Sequence, residues 1–123
     1  MKLPDSIKYT EDHEWVLLDG DIATIGITDF AQSELGDIIF VENPSINDIV
    51  KQKDSIGTIE AVKTVADIFA PVSGVIIEVN ESIESNPELI NESPFSNGWI
   101  LKIKISNKEE CNNLLSRTQY EKL

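Results

Sequence analysis

One lysine between two strand-forming segments is the residue most able to carry chemistry in this 123-residue sequence. Lys63 is flanked by β-prone runs over about 55–61 and 64–70, and neither Gly nor Pro interrupts the chain between Gly57 and Pro71. Such a hairpin would hold the amine clear of its sheet, where a modifying enzyme could acylate it while the domain stays folded. The alternative is that Lys63 only solubilises an exposed turn.

The sole histidine and the sole cysteine exclude several other kinds of chemistry. No nucleophile-elbow pattern accompanies His13, so we predict a structural or hydrogen-bonding role for it and no catalytic residue in the chain. Cys111 can form no internal disulfide and is expected to be a packed thiol. So few His and Cys residues predict no metal site.

A strong acidic excess restricts the classes of partner. Lys and Arg number 10 and Asp and Glu 22, a formal net charge of −12. This argues against nucleic acid and anionic membranes and favours partners with basic docking surfaces. No apolar run approaches the roughly 20 residues that span a bilayer, and the first five residues resemble neither a signal nor a transit peptide. We expect a bacterial cytoplasmic protein with one domain over residues 1–123.

Short strands and turns dominate the elements that would position the lysine. Strands are predicted over 15–18, 22–27, 37–41, 55–61, 64–70, 75–79 and 99–105. Asp19-Gly20 suits a tight turn between the first two strands. Thr28 or Asp29 can cap a short helix that ends at Gly36.

The end of the chain is predicted to be a loop, a strand and a helix. Residues 80–97 are rich in Asn, Ser, Glu and Pro, which predicts a loop with one helical turn near Leu89. Ser106 and Glu109 form a capping-box pair that predicts a terminal helix. This helix would carry Cys111, Leu114 and Leu115. The whole pattern predicts a mainly β fold, a sandwich or flattened barrel with short helices.

Motifs along nearly the whole chain resemble those of one known family. The lysine segment ends at Pro71-Val72-Ser73-Gly74, as a lipoyl-attachment hairpin does. The other similar motifs, in order, are His13-Glu14-Trp15-Val16, Ile25-Gly26-Ile27-Thr28-Asp29-Phe30-Ala31-Gln32, Leu35-Gly36-Asp37-Ile38 with Phe40-Val41-Glu42, Asn86-Pro87-Glu88-Leu89-Ile90-Asn91 and Gly98-Trp99-Ile100-Leu101-Lys102-Ile103. Together they resemble the H-protein family of the glycine cleavage system.

The resemblance implies a barrel-sandwich hybrid, a lipoyl-domain-like flattened β-barrel acting as one carrier domain. Lys63 would carry lipoate as an amide on its ε-nitrogen, attached by a lipoate ligase or lipoyl transferase. In the family's cycle a pyridoxal-phosphate glycine decarboxylase (P protein) passes an aminomethyl group to the lipoyl arm. A tetrahydrofolate-dependent aminomethyltransferase (T protein) takes the one-carbon unit, and dihydrolipoyl dehydrogenase (L protein) reoxidises the arm with NAD. The chain would be a monomeric shuttle rather than an enzyme.

Two acidic residues match positions that line the cleft for the arm in this family. Glu14 belongs to the His-Glu-Trp element, and Asp67 follows the lysine shortly after. They would hold the cationic amine of the cargo, while apolar packing would supply most of the shelter, since an exposed ion pair contributes only about 0–1 kcal/mol. The alternative is that both are ordinary surface acids.

Three segments depart from the family pattern. Ala61 stands where a serine is common, Asn43-Pro44-Ser45 replaces a Leu-Pro opening, and Pro94-Phe95-Ser96 replaces a Pro-Tyr-Gly-like run. They lie beside the motifs and leave the frame of Lys63 intact. We expect them to alter affinity for partners more than carrier chemistry.

Other carrier functions remain possible on the same lysine. A biotinyl carrier is disfavoured because those domains resemble Met-Lys-Met at the tip, whereas this chain has Val62-Lys63-Thr64. A relay that hands its lipoyl group to other enzymes would use the same lysine, so the sequence does not separate it from the shuttle. An unmodified interaction protein is disfavoured by the intact lysine frame.

Overall fold

Antiparallel strands form two sheets, as the short β-rich runs predict. The computed structural model describes residues 7–123. Its strands are β1 (Lys8–Tyr9), β2 (Glu14–Asp19), β3 (Ile22–Ile27), β4 (Ile38–Glu42), β5 (Ile49–Val50), β6 (Ser55–Ala61), β7 (Val65–Phe69), β8 (Gly74–Val79) and β9 (Leu101–Ile105). The larger sheet has the order β1-β2-β3-β9-β8-β5, and the smaller has the order β4-β6-β7. The mainly β prediction is confirmed, with two separate sheets over the described residues rather than one closed barrel.

The hairpin of β2 and β3 follows from its turn residues. Asp19 pairs with Ile22, so Gly20 and Asp21 form a two-residue connection. Gly20 has a φ of +62°, a left-handed conformation that glycine adopts without steric cost. The turn predicted at Asp19-Gly20 is therefore confirmed.

Alternation along the strands builds the core between the sheets. In β9, Leu101, Ile103 and Ile105 are buried, whereas Lys102 and Lys104 are at least partly exposed. The main core combines side chains of both sheets with Ile83 and Ile90 from the helical segment. Each such buried side chain contributes roughly 1.5–3 kcal/mol relative to an exposed one.

Three short helices lie between the strands, and two of them begin at a residue whose side chain caps the helix. The helix α1 (Asp29–Leu35) begins after Thr28, whose hydroxyl accepts the Ala31 amide at 3.2 Å, and it ends at Gly36 with a φ of +80°. For residues 80–97 we predicted a loop with one helical turn near Leu89; that turn is present as α3 (Leu89–Glu92), and a second helix, α2 (Glu81–Ser85), was not predicted. The missed helix α2 is stabilised by Asn80, which caps it, and by the buried Ile83.

The prediction that Ser106 and Glu109 open the terminal helix is wrong. Asn107 instead caps a 3₁₀ helix over Lys108–Asn113, which stops because Leu114 turns extended to pack in the core. Leu115 then exchanges two backbone hydrogen bonds with Tyr9, so a helix cannot pass through it.

The terminal helix begins later than we predicted. The capping box is formed by Ser116 and Gln119, and it opens α4 (Arg117–Glu121). Tyr120 on this helix is buried in a second core cluster with Tyr9 and Trp15. No helix among residues 7–123 has the length and hydrophobicity to cross a membrane.

Candidate functional site

Lys63 lies in the exposed turn that joins β6 to β7, as predicted. The Ala61 amide donates to the Thr64 carbonyl at 2.8 Å, which closes the turn. The Val62 amide donates to the Asp37 carbonyl at 3.0 Å, which ties the turn to the start of β4. Within residues 7–123, no hydrogen bond or ion pair holds the Lys63 amine. The backbone is thus fixed on both sides of a free amine.

The stem of Lys63 passes over the end of α1. A Cβ atom added to Gly36 would lie 3.3 Å from Lys63 Cε, so the absence of a side chain at Gly36 leaves room for the lysine methylenes. This contact directs the lysine toward the helix that precedes Gly36.

A largely apolar cleft of about 330 Å³ lies beside that helix. Its apolar lining residues are Ile27, Phe30, Ala31, Leu35, Ile59 and Ala66. The two acids that we predicted for arm docking, Glu14 and Asp67, line the same cleft, together with His13. Apolar walls with a few polar groups are typical of small-ligand sites.

Glu14 is a buried carboxylate that connects the two sheets. Its side chain is only 2% exposed, so the alternative of an ordinary surface acid is wrong for this residue. The Thr10 hydroxyl donates to Glu14 Oε1 at 2.8 Å, and the Phe69 amide of β7 donates to Glu14 Oε2 at 2.9 Å. These bonds aim both oxygens at fixed positions.

Burial controls the ionisation of Glu14. Desolvation raises the pKa of its carboxyl to about 7, although the hydrogen bonds from Phe69 and Thr10 and the charge of Lys53 lower it. The negative charge of Asp12 adds to the rise. A cation that entered the cleft would favour the ionised carboxylate.

Asp67 differs from Glu14 in its surroundings. It is exposed on β7, where its register partner is Thr58 of β6. The structure brings Asp67 to the same cleft as Glu14, but the described residues show no hydrogen bond between the two side chains. Asp67 can therefore act on a bound cation only through a solvated charge.

His13 has the hydrogen-bonding role that we predicted. Its Nδ1 shares a hydrogen bond of 2.7 Å with the Tyr120 hydroxyl, which also lies 2.8 Å from Thr28 Oγ1. The φ of His13 is +66°, an uncommon conformation for a residue with a side chain, and its ring packs against Phe30. The terminal helix α4 thereby fixes one wall of the cleft, a role for Tyr120 that the sequence did not reveal.

Several lining residues were predicted as structure but not as site. Phe30, Ala31 and Leu35 were assigned to a short helix, and their spacing on one side of it is the signal that could have placed them on a cleft. Within residues 7–123, Lys63 itself lines neither the apolar cleft nor two other cavities, of about 630 Å³ and 260 Å³, and Asp67 does not line those two cavities. Glu14 and Asp12 line both the smaller of these and the apolar cleft.

None of the three segments that depart from the family pattern lines this cleft. Phe95 packs against Trp15 with ring centroids 6.0 Å apart, and the Trp15 indole donates to the Pro94 carbonyl at 2.8 Å. Ala61 is buried at the end of β6. Within residues 7–123, neither of these two segments forms a hydrogen bond with the Lys63 amine.

Comparisons with known proteins identify the family of this chain. The sequence profile of the family described as Glycine cleavage H-protein matches residues 7–123. The chain is 46% identical over 123 residues to a glycine cleavage system H protein of Staphylococcus carnosus, covering 100% of this chain and 98% of the relative. It is 50% identical over 121 residues to one of Carboxydothermus hydrogenoformans, covering 98% and 93% of the two chains.

A solved structure extends the likeness to the fold. The crystal structure of a glycine cleavage system H protein from Mycobacterium marinum superposes with a TM-score of 0.88 and 34% sequence identity. The match covers 98% of this chain and 97% of that chain. With a profile match over residues 7–123 and relatives 46% and 50% identical over at least 98% of its length, the chain belongs to the glycine cleavage H-protein family.

Proposed function

We propose that this chain is the lipoyl-carrying shuttle of the glycine cleavage system and that lipoate is attached as an amide to Lys63 Nζ. The observation that carries the proposal is an exposed lysine on a fixed turn, next to an apolar cleft with a buried carboxylate. Family membership and the names of the relatives support it.

The residues around Lys63 fit a lipoyl group. Gly36 leaves space for the stem of the modified lysine, and the apolar walls formed by Leu35 and Ile59 suit a chain of methylenes. Each methylene that becomes fully buried there contributes roughly 0.8 kcal/mol. When bound, lipoate supplies a dithiolane that accepts the aminomethyl group of glycine and is afterwards reoxidised.

The protein side chains have three tasks in this proposal. Lys63 fixes the point of attachment, and the apolar walls exclude water from the carried group. Glu14 holds the cationic amine, and its low exposure strengthens the interaction. Asp67 adds a weaker, solvated attraction from the surface of β7.

The chain has no turnover of its own in this account and visits the other glycine cleavage components. These are glycine decarboxylase, aminomethyltransferase and dihydrolipoyl dehydrogenase, after a lipoate ligase or lipoyl transferase has modified Lys63. We further propose that residues 1–123 act as one monomeric carrier domain in a bacterial cytoplasm, which the bacterial relatives support. Tethering raises the effective concentration of the cargo at each enzyme.

Reconstitution tests this function directly. We expect ligase-treated protein, mixed with the three partner enzymes, glycine, tetrahydrofolate and NAD, to support NADH formation in proportion to the protein added. Untreated protein is the control and should support none, because its lysine has no dithiolane. Lipoylated protein that supports no NADH formation but passes its lipoyl group to another acceptor would contradict the shuttle and indicate the relay.

A further inference from the structure

Four apolar side chains around the Lys63 turn are exposed without a partner in the described chain. Ile39 and Phe40 lie on β4, Val62 lies in the turn, and Val65 begins β7; we call these four the turn patch. Their exposed fractions range from 49% to 72%. An exposed apolar group of this kind, bordered by charge, is typical of a protein-binding surface.

Strand register joins these residues into one surface. Phe40 pairs with Glu60, and Glu60 pairs with Val65, so the three residues form one row across the smaller sheet. Side chains of one row on antiparallel neighbours share a face of the sheet. Phe40 and Val65 therefore lie on the same face of the sheet, with Glu60 between them.

A β-bulge extends the patch toward the lysine. The register of β4 against β6 shifts between Ile38 and Phe40, which leaves Ile39 as the extra residue. In a regular strand Ile39 and Phe40 would point to opposite faces, but at this bulge both are exposed. Because Ile38 pairs with Ala61, Ile39 lies close to the end of β6 and its turn.

The charge around the patch indicates the kind of surface that would bind it. Glu60 lies within the turn patch. Glu42 and Asp67 are exposed in the next row of the same face, farther from the turn, with Thr58 between them. Within residues 7–123, no lysine or arginine other than Lys63 belongs to these strands and their turn. A partner surface with an apolar centre and basic residues at its rim would complement this arrangement.

The difference in length between unmodified Lys63 and lipoyl-lysine indicates which enzyme would bind the turn patch. An enzyme that acts on the unmodified amine must bring its reacting atoms to the end of a short side chain, so its surface must contact the residues beside the turn. Enzymes that act on the distal dithiolane of lipoyl-lysine can stand farther away. We propose that the turn patch is the docking surface for the enzyme that attaches lipoate to Lys63, an inference that rests on the proposed function.

Docking positions the amine for one acyl transfer. Lys63 Nζ loses a proton and attacks the carbonyl carbon of lipoate that ATP has activated as an anhydride with AMP. The amide C–N bond forms, the C–O bond to the adenylate phosphate breaks, AMP leaves with that electron pair, and the nitrogen releases a second proton. The patch contributes binding that is equal before and during the transfer, so its loss should raise KM and leave kcat unchanged.

The test compares lipoylation rates of apo protein by mass spectrometry, with a bacterial lipoate ligase, lipoate and ATP. The double variant Phe40→Thr with Val65→Thr keeps β-favouring residues while it removes apolar surface. We expect its kcat/KM to fall about tenfold through KM, as truncating two interface anchors does. The matched control is Ile49→Thr, since Ile49 is 81% exposed on β5 of the other sheet, and it should stay within about twofold of the parent.

The possible results separate the patch from the proposed function. A double variant that folds and is lipoylated at the parent rate would overturn the docking surface while leaving the carrier function intact. Equal losses in the double variant and in Ile49→Thr would also overturn it. If the variant were lipoylated normally but reoxidised slowly by dihydrolipoyl dehydrogenase, the patch would serve that enzyme instead. No lipoylation of the parent protein would overturn the proposed function as well.

Discussion

Lys63→Arg is expected to reduce glycine-dependent NADH formation in the reconstituted system to the rate measured without the shuttle. An arginine keeps the positive charge and the exposed position, but its guanidinium stays protonated and is not acylated. Because Lys63 is exposed and forms no ion pair in the described chain, the free energy of unfolding should change by less than about 0.5 kcal/mol. Turnover assays paired with thermal unfolding measure both quantities.

Lys104→Arg is the matched control for this variant. Lys104 is an exposed lysine on β9 of the larger sheet, whereas the β6–β7 turn belongs to the smaller sheet. It should leave turnover at the parent level. Substantial turnover by folded Lys63→Arg, or an equal loss in both variants, would remove Lys63 from the account.

Glu14→Gln is expected to change how stability depends on pH. The pKa of Glu14 is raised from 4.5 to about 7 in the fold, so the native state keeps a proton that the unfolded chain releases. Stability from this group is present at low pH and is lost as pH rises through about 7. The full effect of this pKa shift on the free energy of unfolding is ~3 kcal/mol. Relative to the parent protein, Glu14→Gln should therefore gain stability by that order between pH 5 and pH 8.

Denaturant unfolding of the apo protein at several pH values measures this difference. The control is Glu34→Gln, which removes an exposed carboxylate that lines the same cleft, and it should follow the parent protein. If the parent and Glu14→Gln curves run parallel from pH 5 to pH 8, the carboxyl is not held neutral by burial as described.

The Glu14 carboxylate should also determine how well the loaded protein retains the amine of its aminomethyl group. Only ionised Glu14 attracts the cation, so retention by the parent protein should weaken as pH falls through about 7 and below, by about tenfold between pH 8 and pH 6. Glu14→Gln should release the amine faster at all these pH values and lack this dependence. Asp67→Ala should have a smaller effect because its charge is solvated.

Local signals predicted most of the elements that hold the lysine. Alternating apolar residues predicted β9. The turn glycine Gly20 predicted the hairpin of β2 and β3, and the capping residue Thr28 predicted the helix α1 that follows it. Lys63 was placed correctly at an exposed turn because the flanking β-prone runs are uninterrupted. These features depend on residues close together in the sequence.

Features that depend on distant contacts were missed or misplaced. The terminal helix was predicted too early because the pairing of Leu115 with Tyr9, more than a hundred residues away, overrides the capping preference of Ser106. The burial of Glu14 arises only when β7 packs across from β2, as the hydrogen bond from Phe69 shows. The exposure of Ile39 beside Phe40 requires a bulge whose position depends on the partner strand.

Mass spectrometry of the intact protein, followed by peptide mapping, tests the central claim most directly. The protein should be produced in a host with lipoate available, or treated with lipoate ligase, lipoate and ATP. We predict one added lipoyl group, located on the peptide that contains Lys63 and on no other lysine. A folded, ligase-treated protein that stays unmodified, or that carries the group on a different lysine, would contradict the account.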